Sequence, residues 1–215
     1  MLKYVLFDLD GTLNDSGEGI RTSVAYALKK FGIEGESKES LNRLIGPPLV
    51  NAFMEFYGFD KQKATQARLY YREFYEDTGM YMCSMYSGID ALLDDLKKVG
   101  LKLVVCTSKP TEPSVKILKY LGIYGYFDGV FGATIDGSLT EKEQIIALAV
   151  KELNLDANSA VMVGDRKFDA IGARQNNIKS IGVTYGFGSK EELAKAGYDF
   201  IADDLSQLKD LILKM

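Results

Sequence analysis

The sequence predicts an α/β fold: a parallel sheet covered by helices on both faces, with a helical domain inserted directly after the first strand. Three observations carry this prediction. Lys3–Phe7, mostly β-branched or aromatic, reads as a fully buried strand. From about Ser16 to about Gly79 one helical pattern follows another with no strand between them. From Ile89 onward strands and helices alternate, which implies right-handed crossovers and a parallel sheet.

In chain order, the first strand runs into Asp8-Leu9-Asp10-Gly11-Thr12-Leu13. In an extended segment Asp8 and Asp10 share one face, where two carboxylates repel unless a cation offsets them. Gly11 permits a sharp turn that brings backbone N–H groups close to a ligand. Strand, paired acids and turn point to a divalent cation and a phosphate at a strand C-terminus, where open α/β sheets bind ligands. Taken alone, the same residues also describe a turn with solvated acids.

Asp15 or Ser16 caps a helix carrying Ile20, Val24, Ala27 and Leu28 that ends at Phe31-Gly32. A short helix, Glu39–Ile45, stops at Gly46-Pro47-Pro48, and another, Leu49–Tyr57, stops at Gly58. Lys61–Thr78 carries Tyr70, Tyr71, Phe74 and Tyr75 at helical spacing, read as the core of this helical domain. The remainder reads as helix 89–99, strand 101–106, helix 112–121, strand 129–133, helix 142–153 and strand 160–163. Helix 168–175, strand 180–184, helix 190–196, strand 198–201 and helix 205–212 complete it. The domains are therefore 1–15 with 84–215, and 16–83. The irregular connections 14–17 and 81–88 read as a hinge, with the helical domain as a lid over the C-terminal edge of the sheet.

Further polar residues fall at strand ends. Thr107-Ser108-Lys109-Pro110 offers hydroxyls and N–H groups for phosphate oxygens, although a helix cap has the same composition. Lys142 opens a helix, placed either to neutralise phosphate charge or as a solvated surface lysine. Asp165 and Asp169, four apart, read as one face of the first turn of a helix, a second request for a metal.

Composition removes several classes. The chain of 215 residues is 47% hydrophobic with a net charge of −4 and no long basic run, which argues against nucleic acid as a partner. No apolar stretch reaches the length of a membrane span and no signal pattern precedes the first strand, so a cytoplasmic location is expected. There is no histidine, which excludes Ser-His-Asp and Cys-His systems and leaves acid–base chemistry to Asp, Glu, Lys, Tyr or Cys. Cys106 reads as a small buried hydrophobe. Gly186 and Gly188 lack a third glycine at dinucleotide-binding spacing, since Glu191 occupies it.

The stretches FDLDGTLNDS at 7–16, GPPL at 46–49, VVCTSKP at 104–110, GSLTEKEQII at 137–146 and VMVGDRKFDAIGA at 161–173 occur in a telling order. With them the chain resembles the haloacid dehalogenase-like hydrolase superfamily, and within it the phosphoglycolate phosphatase branch, a Rossmann-like three-layer core with an inserted helical cap. It departs from the branch at Ser108, where Asn is frequent, and after Lys142, where Glu replaces a frequent Pro. The resemblance implies a phosphatase for small phosphomonoesters. Asp8 would be the nucleophile and Asp10 the general acid and base. Mg²⁺ would be held by Asp8, the Asp10 backbone carbonyl and Asp165, with Asp169 behind them. Thr107, Ser108 and Lys142, in preference to Lys109, would bind phosphate, and Arg43, Gly46 and Pro47 of the cap would read the leaving group. A small phosphorylated metabolite is the expected partner, with no nucleic acid or membrane, and the chain is expected to be a monomer or weak homodimer.

Three other readings share much of this pattern. A 5′-nucleotidase-type phosphatase differs only in its substrate. A phosphomutase of the β-phosphoglucomutase type uses the same motifs and excludes water. A receiver-like phosphoacceptor domain has the acids, Thr and Lys, but no inserted helices.

Overall fold

In the computed structural model, which describes residues 1–215, the N-terminal run forms β1 (Tyr4–Phe7), and a turn leads to β2 (Asn14–Asp15). Helices α1 (Gly17–Lys29), α2 (Lys38–Asn42), α3 (Leu49–Tyr57) and α4 (Lys61–Asp77) follow, then β3 (Ser84–Met85). Next come α5 (Ile89–Lys98), β4 (Lys102–Pro110), α6 (Thr111–Tyr120), β5 (Phe127–Ala133) and α7 (Lys142–Glu152). The chain closes with β6 (Ala160–Gly164), α8 (Lys167–Gln175), β7 (Lys179–Val183), α9 (Lys190–Ala196), β8 (Phe200–Ala202) and α10 (Leu205–Leu213). No helix is long and apolar enough to cross a membrane.

Six strands pair in parallel in the order β5-β4-β1-β6-β7-β8, while β2 and β3 form a separate two-stranded sheet. Side chains alternate across a strand, so the register sorts them by face. Leu6 lies level with Val104 on β4 and Met162 on β6, and these pack with Ile145, Ile146 and Ala149 of α7 and Ala173 of α8. Val5 and Phe7 point to the opposite face with Leu103, Val105, Val161 and Val163, and these too are fully buried. Sealing both faces from water explains why the strands read as continuous apolar runs instead of alternating ones.

The chain winds outward from β1 through β4 to β5, then returns past β1 to β6 and winds the other way. The reversal falls between β1 and β6, so a crevice opens beyond their C-terminal ends, the usual ligand position in a doubly wound sheet. Contacts divide the chain into two compact units, Met1–Asn14 with Met85–Met215, and Asp15–Ser84. The second unit is helical. Its α1 buries Ile20, Val24, Ala27 and Leu28, and α4 buries Ala64, Ala67, Tyr71 and Tyr75, the last two stacked at 5.1 Å.

Of the differences from the sequence reading, two bear on the site. The strand expected to end at Cys106 continues to Pro110, with an irregular register against β5 between Thr107 and Pro110. Asp165 is not in the first turn of a helix. It extends from the tip of β6, and α8 starts only at Lys167 because Arg166 keeps an extended backbone as its N-cap.

Candidate active site

The site grows out of the tips of β1 and β6. Asp8 stays in line with the sheet because its N–H donates to the Val163 carbonyl at 2.9 Å. The chain then folds over Leu9, whose carbonyl accepts N–H groups from Thr12, Leu13 and Asn14, and Gly11 takes a φ of +85° that other residues rarely adopt. At the tip of β6, Gly164 leads to Asp165, which is fully buried. Asp169, in the first turn of α8, accepts the Arg166 N–H through Oδ2 at 3.1 Å. A Cβ on Gly164 would collide with the Asp169 carboxyl, so a glycine at the end of the strand is what admits that acid.

Carboxylate oxygens of Asp8, Asp165 and Asp169 lie within 4.8 Å of one another, all buried. Lys142, the first residue of α7 and only 3% exposed, reaches across to them. Its Nζ lies 2.8 Å from Asp8 Oδ1, 2.8 Å from Asp169 Oδ1 and 3.0 Å from the Cys106 carbonyl oxygen. Burial pushes the Asp8 carboxyl up to about 6 against the pull of Lys142, with the charges of Asp169 and Asp10 adding to the rise. Burial, together with Asp8 and Asp169, raises Asp165 well above the carboxylate range. Burial works against the Lys142 charge, but Asp169 and Asp8 outweigh it and hold the ammonium above its ordinary value.

With all three carboxylates ionised, the cluster and the Lys142 ammonium carry a net two negative charges, which a divalent cation would offset. The donors are all hard oxygens, which suits a cation of the Mg²⁺ class. The one nearby sulfur, Cys106, is pushed up to about 12 by burial and offers no thiolate.

Asp10 has its own counterion. Its Oδ2 lies 2.9 Å from Lys109 Nζ, with the two side chains 13% and 7% exposed. Thr107 is buried and its hydroxyl oxygen accepts the Lys109 N–H at 3.2 Å, with Ser108 half-buried between them. The structure thus gathers Asp8, Asp165, Asp169 and Lys142 at one point and sets Asp10 with Lys109. Sequence reasoning missed two partners, the Thr12 hydroxyl, which donates to Asp165 Oδ1 at 3.3 Å, and Lys109 as companion of Asp10. A threonine in a turn and a lysine after a strand carry no signal that separates them from ordinary turn and surface residues.

Arg43, Gly46 and Pro47 belong to the helical unit. There the Arg43 guanidinium lies 4.8 Å over the Phe56 ring and donates to Ser40 Oγ at 3.1 Å. Gly46 has a φ of +107°, and Pro47 is half-buried.

A doubly wound sheet whose reversal point gathers buried carboxylates and a lysine defines an α/β protein with an acidic cluster that could hold a hard cation. The family model of haloacid dehalogenase-like hydrolases matches residues 5–183, and the chain belongs to that family. It is 39% identical over 213 residues to a 5′-nucleotidase of Pseudomonas aeruginosa, spanning 98% of this chain and 96% of the relative. It is 30% identical over 222 residues to a phosphoglycolate phosphatase of Vibrio vulnificus, spanning 99% and 96%. The crystal structure of a predicted phosphatase from Clostridium acetobutylicum is similar with a TM-score of 0.98 and 50% identity over the full length of both chains.

Proposed function

We propose that this chain is a Mg²⁺-dependent phosphatase that hydrolyses a small-molecule phosphomonoester through an aspartyl-phosphate on Asp8. The observation that carries the proposal is Asp8 itself. It stands at a strand tip, 2.8 Å from the buried Lys142 ammonium and grouped with Asp165 and Asp169. Asp8, Asp165 and the Asp10 backbone carbonyl, with Asp169 behind, would hold Mg²⁺, which would supply the positive charge that lets an anionic substrate approach these acids.

Asp8 attacks phosphorus in line while Asp10 gives its proton to the departing oxygen, so the ester bond breaks and the phosphoryl group passes to Asp8. A water then attacks the phosphorus, Asp10 takes its proton, and inorganic phosphate leaves with Asp8 restored. Lys142, Thr107 and Ser108 bind the phosphoryl oxygens. The helical unit serves as a cap that reads the leaving group through Arg43 and the loop at Gly46-Pro47. We further assign a monomer or weak homodimer acting on a metabolite in the cytoplasm, with no nucleic acid or membrane partner.

Two substrate classes are favoured by particular relatives. Phosphoglycolate fits the branch that the motifs resemble and the Vibrio relative. Nucleoside 5′-monophosphates are favoured by the higher identity, 39%, to the Pseudomonas relative. A screen of metabolite phosphates with Mg²⁺, reading free phosphate, tests both; release from either class is expected. Isomerisation of a sugar phosphate without phosphate release would overturn the hydrolase in favour of a mutase.

A further inference from the structure

The loop after β7, Thr184–Ser189, has no part in the reaction above, yet it is built against the site. The Phe187 N–H donates to Asp165 Oδ2 at 2.7 Å, while the opposite oxygen, Oδ1, accepts from the Thr12 hydroxyl at 3.3 Å. The Tyr185 hydroxyl donates to the Thr12 carbonyl at 3.1 Å, and its ring meets Tyr86 edge-on at 5.0 Å between centroids. Space is equally committed. A Cβ on Gly186 would collide with the Asp165 side chain and the Gly11 carbonyl oxygen, and one on Gly188 with the Asp165 carbonyl oxygen. A Cβ on Gly11 would collide with the Asp165 carboxyl from the other side. The two loop glycines therefore have a use unrelated to nucleotide phosphates: they let backbone lie where no side chain fits.

We propose that Tyr185–Gly188 is a positioning loop for Asp165, fixing its carboxylate, through the Phe187 N–H and through Tyr185 and Thr12, in the orientation that binds the divalent cation. The terminal torsion of an aspartate is broad, so burial alone leaves the carboxylate plane poorly defined. Donors on both oxygens, one from each flanking turn, define it. Tyr185 stiffens the second donor by anchoring the Thr12 backbone. Partners that orient a metal ligand typically account for about 10–100-fold in metal affinity. The inference rests on the cation reading of the Asp8–Asp165–Asp169 cluster.

The test uses Mn²⁺ as the probe, titrated into the full chain, with the free ion followed by electron paramagnetic resonance and folding checked by thermal melting. Gly186→Ala is expected to weaken Mn²⁺ binding by about 10–100-fold. Tyr185→Phe, which keeps the ring and loses one hydrogen bond, is expected to weaken it by roughly fivefold, the worth of one neutral bond. Gly129→Ala on β5, where a Cβ would meet only the Phe131 ring, is the steric control and should bind like the parent. Parent-like affinity in folded Gly186→Ala and Tyr185→Phe would overturn the proposal, and should Gly186→Ala fail to fold, parent-like affinity in Tyr185→Phe alone does so. Asp165→Asn separates the two layers. If it too binds Mn²⁺ like the parent, the cation reading falls, and the loop's role falls with it.

Discussion

Replacing Lys142 by methionine keeps the length of the side chain but leaves Asp8 and Asp169 buried beside a group without charge, where an ammonium lay 2.8 Å from each. Removing one member of a buried ion pair costs about 3–5 kcal/mol, because the remaining charge has neither water nor a partner. The expected result is a large fall in melting temperature, partly recovered by Mg²⁺; a melting curve equal to the parent's would remove Lys142 as the countercharge. The same acids set a pH dependence. The Asp8 carboxyl, raised from 3.8 to about 6, holds a proton in the folded chain that the unfolded chain has released, and burial raises Asp165 in the same direction. Through this interval the native state binds more protons, so the metal-free protein loses stability as pH rises from 5 to 7. Mg²⁺ bound at these acids would replace those protons, and its stabilising effect is expected to be greater at pH 7 than at pH 5. Melting temperatures at both values, with and without the ion, check the sign.

At the scale of elements, Gly164 shows how closely a strand end and a helix start are fitted together. A Cβ there would enter the Asp169 carboxyl, so Gly164→Ala must push β6 and α8 apart at the point where Asp165 and Asp169 leave them. Overpacking of this kind costs about 1–3 kcal/mol, and with both acids displaced an activity loss larger than the stability loss is expected. Equal kcat for Gly164→Ala and the parent would show that this fit is unimportant. The strands were legible where they are dry on both faces: β1, the apolar part of β4, and β6 are unbroken apolar runs, and α3 and α9 matched their expected bounds because Gly58 and Gly197 stop them. The extension of β4 was illegible because Thr107–Pro110 is polar and proline-ended, the composition of a loop. The β2–β3 ribbon was missed because two-residue strands have no period to read. Asp165 was assigned to the first turn of α8 because its spacing of four from Asp169 fits a helix face, whereas it lies between the end of β6 at Gly164 and the start of α8 at Lys167.

For the whole molecule, the winding order decides what meets what. Asp8, Lys142 and Asp165 are far apart along the chain and converge because β1 and β6 are neighbours at the reversal of a doubly wound sheet. Spacing alone could not show this convergence; the acids at strand ends suggested it, and the family motifs gave their order. The pairing of Asp10 with Lys109 lies beyond both sources, since it depends on how the irregular end of β4 aims one side chain. In the proposed reaction two acids two residues apart divide the labour, Asp8 taking the phosphorus and Asp10 the proton. Asp10→Asn tests it with two substrates. An alkyl phosphate needs a proton on its leaving oxygen, so turnover should fall by the ~10²–10⁴ of lost acid–base help. The p-nitrophenolate of p-nitrophenyl phosphate leaves without a proton, so Asp8 should still be phosphorylated while hydrolysis of the phosphoenzyme stalls. Rapid mixing with the aryl substrate should therefore give a burst of nitrophenol and one phosphoryl group of added mass on the peptide carrying Asp8. Equal slowing with both substrates and no burst, or the added mass on any other peptide, would contradict the account.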